Sequence, residues 1–140
     1  GCYRGDSSRL LLRHCRFLYL IDPCFAYEGN PDTGVFASED YIKDVLHDHA
    51  LYYHLIKGMS HEVHQQIHEV DFVFIDGNHT LDYVRKDIAL YWPKVRSGGF
   101  ISGHDYGTPW PGVVQAVQEH ATRTGLLVQH LGDCWMIQKP

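Results

Sequence analysis

Asp71-Phe-Val-Phe-Ile-Asp-Gly-Asn-His79 decides the reading of this chain. The apolar run Phe72 to Ile75 has the composition of a strand covered on both faces, and it releases Asp76 and His79 onto a short loop. Beyond Thr80, Leu81, Val84, Ile88 and Tyr91 recur near the helical period, with Asp82, Arg85, Lys86 and Asp87 facing water, until Pro93 ends the helix. A buried strand followed by an amphipathic helix is a βα unit, and open α/β sheets collect ligands at the carboxyl ends of their strands. An acid and an imidazole three residues apart at such an end can point into one crevice.

Working outward, Gly98-Gly-Phe-Ile-Ser-Gly-His104-Asp-Tyr106 repeats the logic, with a short strand over Gly99 to Ser102 and polar side chains at its end. Further strands are expected over Phe17 to Ile21 and Leu51 to Lys57. Helices are expected over Ser7 to His14, with Asp6 or Ser7 as N-cap, and after Ser38, with Glu39 and Asp40 at the positive end and Ile42, Val45 and Leu46 inward. Ser60 opens a short helix through Ile67, and a last helix runs from Pro111 to Gly125 with Val113, Ala116, Val117 and Ala121 inward. Leu126 to Gln138 reads as a closing hairpin around Gly132-Asp133. The alternation predicts a mostly parallel α/β domain over residues 1–140. The opening turn, Gly1-Cys-Tyr-Arg-Gly5-Asp-Ser7, has no strand to hang from, which suggests that the first strand is missing from this chain.

The chain has 140 residues, 12 basic against 17 acidic, so its net charge is 12 − 17 = −5 with histidine neutral. No run of Lys and Arg exceeds Arg85-Lys86, which leaves no footprint for a nucleic-acid backbone. Cys2, Cys15, Cys24 and Cys134 form no C-x-x-C pair, so neither a zinc knuckle nor a disulfide framework is expected, and reduced thiols fit a cytoplasmic setting. No apolar run approaches the roughly 18 residues of a membrane span. Arg4-Gly5-Asp6 and Asn78-His79-Thr80 match short recognition patterns that recur by chance.

Four groups carry the candidate chemistry. The small residues of the opening turn allow close backbone approach to a ligand, and Asp22, closing its strand, is placed to accept hydrogen bonds from ribose hydroxyls. If the two later strands are neighbours, Asp76, His79, His104 and Asp105 meet. Carboxylates with imidazole suit a hard or borderline divalent ion, and histidine suits general-base work near neutral pH. The histidines at 47, 49, 54, 61, 64 and 68 read as surface or core residues, and Trp92, Trp110 and Trp135 as packing, with Trp110, in a loop just past the site, also placed to wall a substrate.

Gly-Cys-Tyr-Arg-Gly-Asp-Ser, Leu-Tyr-Leu-Ile-Asp-Pro, Phe-Ile-Asp-Gly-Asn-His-Thr, Ser-Gly-Gly-Phe-Ile-Ser-Gly-His-Asp-Tyr and Pro-Gly-Val-Val-Gln-Ala-Val occur in this order. Together they resemble the class I S-adenosylmethionine-dependent methyltransferases, in the branch with macrocin-type and cephalosporin-type O-methyltransferases. The resemblance implies a Rossmann-like three-layer sandwich whose mostly parallel seven-stranded sheet has one antiparallel strand. It implies that Gly1, Gly5 and Ser7 lie along the methionine moiety and that Asp22 holds the ribose. Ser60 becomes the candidate near the adenine, where relatives carry an acid and this chain reads Gly58-Met59-Ser60. Asp76 and Asp105 become ligands of magnesium or another divalent metal, and His79 becomes the base. His104 stands where metal-using relatives carry a carboxylate, which shifts preference towards manganese, iron or zinc.

The activity expected is O-methylation of a hydroxyl on a sugar, polyketide or phenol, with specificity in the loops Cys24 to Ala37 and Tyr106 to Pro111. The partners expected are that small-molecule acceptor and, compatibly, a second copy of the chain. A metal-dependent hydrolase using the same Asp and His set, or a non-catalytic nucleoside-binding domain, are the alternatives.

Overall fold

The computed structural model describes residues 2, 4–25 and 37–140. Gly1 and most of the Cys24 to Ala37 loop therefore lie outside the described residues. The chain divides into two compact units, Gly1–Val63 and His64–Pro140.

In the first unit the order is α1 (Asp6–Leu12), β1 (Leu18–Asp22), α2 (Glu39–Val45), a 3-10 turn at His47–His49, β2 (Tyr53–Lys57) and α3 (Ser60–Val63). Strands β1 and β2 pair in parallel from Leu18 opposite Tyr53 to Asp22 opposite Lys57. Both strands fall within a residue or two of the expected runs. Helix α2 begins as expected: the Ser38 hydroxyl accepts the Tyr41 N–H at 3.2 Å, and Ile42 and Leu46 are fully buried. Helix α1 differs at its start, since neither Asp6 nor Ser7 caps it. The chain enters through Gly5 at φ +82°, with the Gly5 N–H on the Cys2 carbonyl at 2.8 Å, so a glycine turn stands where a polar cap was expected. Leu12, Leu20, Ile42 and Leu46 with Cys2, Cys24 and Ala37 make this unit's core. The short helix from Ser60 ends at Val63, and a 3-10 turn at His64–Gln66 takes the place of its expected continuation to Ile67.

The second unit continues with β3 (Val70–Ile75), α4 (Leu81–Tyr91), a 3-10 turn at Trp92–Lys94, β4 (Val95–Gly103), α5 (Pro111–Thr124), β5 (Gln129–Leu131) and β6 (Cys134–Gln138). Its sheet has the order β3-β4-β6-β5. Strands β3 and β4 run parallel with Ile75 opposite Gly103, while β6 is antiparallel to both β4 and β5. Strand β4 starts four residues before the expected Gly99 because Val95 already pairs with Val70, across a register shift between Val70 and Phe72. The hairpin closes through Gly132-Asp133 as expected. Helices α4 and α5 lay Val84, Ile88, Val113, Ala116, Val117 and Ala121 against Ile101, Trp135 and Ile137, and Val73 and Ile75 pack on that core. Each such burial stabilises by about 1.5–3 kcal/mol relative to exposure. The described residues thus form six strands in two sheets, where a single seven-stranded sheet was expected. No helix among them is long and apolar enough to cross a membrane.

Two predictions concern this core. Trp135 is 2% exposed and is the largest fully buried side chain. Trp135→Ala should cost roughly 3–5 kcal/mol in urea denaturation, and a loss under about 1 kcal/mol would remove Trp135 from the centre of this packing. His120 is buried on α5, edge-on to Trp92 at 4.7 Å, with Nδ1 3.0 Å from the Arg123 guanidinium. Burial, reinforced by Arg123, pushes its pKa below the ordinary histidine value. The unfolded chain then takes the proton first as pH falls below about 6.5, so stability is intact above that pH and declines below it. His120→Phe should flatten part of this acid-side fall in thermal midpoint; a slope identical to wild type would refute the assignment.

Candidate active site

The strand ends of both units carry the expected polar residues. In the first, Asp22 is the last residue of β1 and is buried. Its carboxylate accepts the Cys2 N–H at 2.6 Å and the Cys24 N–H at 2.8 Å, and its carbonyl accepts the Gly58 N–H at 3.0 Å. Asp22 therefore organises three loops by itself, and Cys24 adopts φ +58° to complete the turn. Burial, with the Asp22 carboxylate adding to it, pushes the Cys24 thiol up to about 11. The Cys2 thiol is likewise pushed up to about 12 by burial. Both stay protonated at neutral pH, which removes thiolate nucleophiles from this site. Gly5 opens α1, Ser7 lies exposed in its first turn, and Ser60 opens α3 after the Gly58-Met59 link. A buried, acceptor-rich carboxylate beside a glycine turn fits a ligand bearing vicinal hydroxyls.

In the second unit, Asp76 follows β3 directly. The buried Asn78 accepts both the Thr80 N–H at 2.9 Å and the Thr80 hydroxyl at 2.8 Å, a turn that launches α4 and presents the intervening His79. This burial also rules the Asn78-His79-Thr80 pattern out as a surface sequon. Across the ladder, the His104 N–H donates to the Ile75 carbonyl at 3.1 Å, and the next residue, Asp105, adopts φ +62°. That left-handed backbone is uncommon outside glycine, although aspartate tolerates it better than most. The loop is held by Gly107 N–H on Asp105 O and Tyr106 N–H on Asp133 O, each 2.9 Å.

The bend turns Asp105 back towards β3. Its Oδ2 lies 2.7 Å from His79 Nε2 and its Oδ1 3.2 Å from His104 Nδ1. The His79 and Asp105 side chains are only 14% and 18% exposed, against 44% for His104. Asp76, His79 and Asp105 each offer an atom within 4.8 Å of the others, and all three are half-buried. Two carboxylates so close repel when ionised, and a cation or an imidazolium between them offsets that repulsion. The donor set of two oxygens and one nitrogen therefore fits a divalent ion of borderline character. Asp76, His79 and Asp105 lie in one group, and His104 meets the other oxygen of Asp105 from the more exposed side.

Trp110, read from the sequence as packing or as a wall just past the site, stacks its indole on the His79 ring with centroids 4.2 Å apart and 29° between planes. Its loop position pointed to the neighbourhood of the site, while nothing in the sequence pointed to His79 as its partner.

Residues 1–106 match the family model for a methyltransferase domain. No curated protein matches the chain. Among solved structures it is similar to the O-methyltransferase NovP, at a TM-score of 0.75 and 16% identity, over 98% of this chain and 68% of that one. It is similar to CalS11, a TDP-rhamnose 3'-O-methyltransferase of calicheamicin biosynthesis, at 0.65 and 16%, over 88% of this chain and 58% of that one. It is also similar to SMU.1697c of Streptococcus mutans, solved in complex with SAH, at 0.72 and 12%, over 100% and 85%. At these identities the likenesses establish the α/β Rossmann-like fold. The family match over residues 1–106 of 140 adds the lineage, and the chain belongs to the methyltransferase-domain family as a class I S-adenosylmethionine-dependent methyltransferase.

Proposed function

We propose that this methyltransferase methylates a hydroxyl oxygen of a small molecule, a sugar, polyketide or phenol, with His79 as the base. The observation that carries the reading is the His79–Asp105 pair at 2.7 Å, grouped with Asp76 at the carboxyl ends of two parallel strands. The 2.7 Å contact with Asp105 holds in place the imidazole that takes the acceptor's proton. Asp105 then stabilises the imidazolium formed. S-adenosylmethionine, when bound, supplies a methyl on a positively charged sulfur that leaves as a neutral thioether. The acceptor oxygen gains that methyl as its proton passes to His79, so charge and atoms balance.

Gly5, Ser7, Asp22 and Ser60 are the residues proposed for the cofactor, with Asp76 contributing as well. Asp76 and Asp105 would hold a divalent ion, with His104 as the third donor, and the bound charge would lower the pKa of a nearby hydroxyl. The names of NovP and CalS11 as O-methyltransferases support oxygen as the acceptor atom. Orientation supplies most of the remaining gain, as expected for an in-line displacement between two bound molecules.

Isothermal titration of S-adenosylhomocysteine together with a transfer assay tests this reading. Asp22→Ala should weaken binding by about tenfold or more, with circular dichroism checking that the variant is folded. His79→Gln should leave binding within about twofold and cut transfer by about 100-fold or more. Folded wild-type protein that binds no S-adenosylhomocysteine would sink the cofactor assignment, and full transfer by His79→Gln would sink the base.

A further inference from the structure

The indole stacked on His79 is held there by its own surroundings. The Trp110 N–H donates to the Gly107 carbonyl at 3.0 Å, and the Trp110 carbonyl accepts the Val113 N–H at 3.0 Å, so the residue joins the Asp105 loop to the first turn of α5. Two residues further on, Gly112 sits against the backbone of the other loop: a Cβ there would come within 2.9 Å of the His79 carbonyl and 2.7 Å of the Leu81 nitrogen. Only a residue without a side chain allows this approach. The start of α5 is thus seated on the His79 main chain while the indole just before it covers the imidazole face, and Asp105 holds the Nε2 edge at 2.7 Å. A ring swung out of this plane would lose the stack and the carboxylate together.

From this geometry we infer that Trp110 is a positioning residue for methyl transfer, keeping the imidazole plane fixed so that Nε2 stays in line with Asp105. The inference rests on the reading of His79 as the base. It is more than core packing: Trp110 does pack on the α4–α5 core, but an aliphatic side chain could fill that space, whereas ring-on-ring stacking sets an orientation. The indole face also favours the imidazolium that forms on proton uptake.

The test compares Trp110→Ala, Trp110→Leu and Trp110→Phe in the full chain, reading thermal midpoint, kcat and KM, and the His79 tautomer by long-range proton–nitrogen NMR above the ordinary imidazole pKa. Wild type and Trp110→Phe should show the single Nε2–H tautomer. Trp110→Ala and Trp110→Leu should show a mixture, with kcat about 10- to 100-fold lower and KM within about twofold. Trp110→Leu removes less apolar volume than Trp110→Ala, so it reports even if the alanine variant does not fold. A single tautomer and unchanged kcat in folded Trp110→Leu would overturn the proposal. Wild-type protein without transfer would instead refute His79 as base, and the catalytic consequence with it, while the tautomer comparison would still decide whether the stack orients the ring.

Discussion

Ile75 and Gly103 face each other at the carboxyl ends of two parallel strands, and the His104 amide on the Ile75 carbonyl carries the pairing one residue further. Everything at the candidate active site depends on that shared ending. Because β3 and β4 stop at the same level, the loops that leave them start side by side, and Asp76 and Asp105 emerge within reach of one another. Gly103 is part of the constraint. A Cβ there would lie 2.4 Å from the Ile75 carbonyl oxygen and 2.7 Å from Trp135 Nε1, so the site rests on a point where three strands pack as closely as backbone permits.

The electrostatics follow from this enforced proximity. Two carboxylates brought together under partial cover would repel each other, and the arrangement is tolerable because an imidazole approaches each free side of Asp105. The same arrangement makes the group receptive to a divalent ion. Backbone strain at Asp105 belongs to this account, since a left-handed residue there is what lets the carboxylate turn back rather than point away.

Asp22 shows why a strand-end aspartate is difficult to read. A turn-forming role and a ligand-holding role are usually weighed as alternatives, yet the carboxylate accepts two backbone amides and so shapes the very loops beside which a nucleoside would lie. Its structural work is visible directly in those two hydrogen bonds. The two buried thiols next to it have no comparable chemistry, being held protonated by the same burial that makes the carboxylate's hydrogen bonds strong.

Local pattern alone determined the alternation of strands and helices, the cap at Ser38, the proline start of α5, the closing hairpin and the placement of Asp76, His79 and Asp105 just past apolar strands. These features are legible because each is governed by neighbours a few residues away: helical periodicity, capping oxygens and polar residues just past an apolar run. The tertiary structure decided what depends on distant chain segments meeting. It set His79 and His104 on the two oxygens of one carboxylate, because a left-handed turn at Asp105 points it back across the ladder. It replaced the expected polar cap of α1 by a turn at Gly5, and it buried His120 against Trp92. It also laid Trp110 on a histidine 31 positions earlier, 110 − 79. No periodicity encodes such a contact, since it arises only when the first turn of α5 settles on the loop that follows β3.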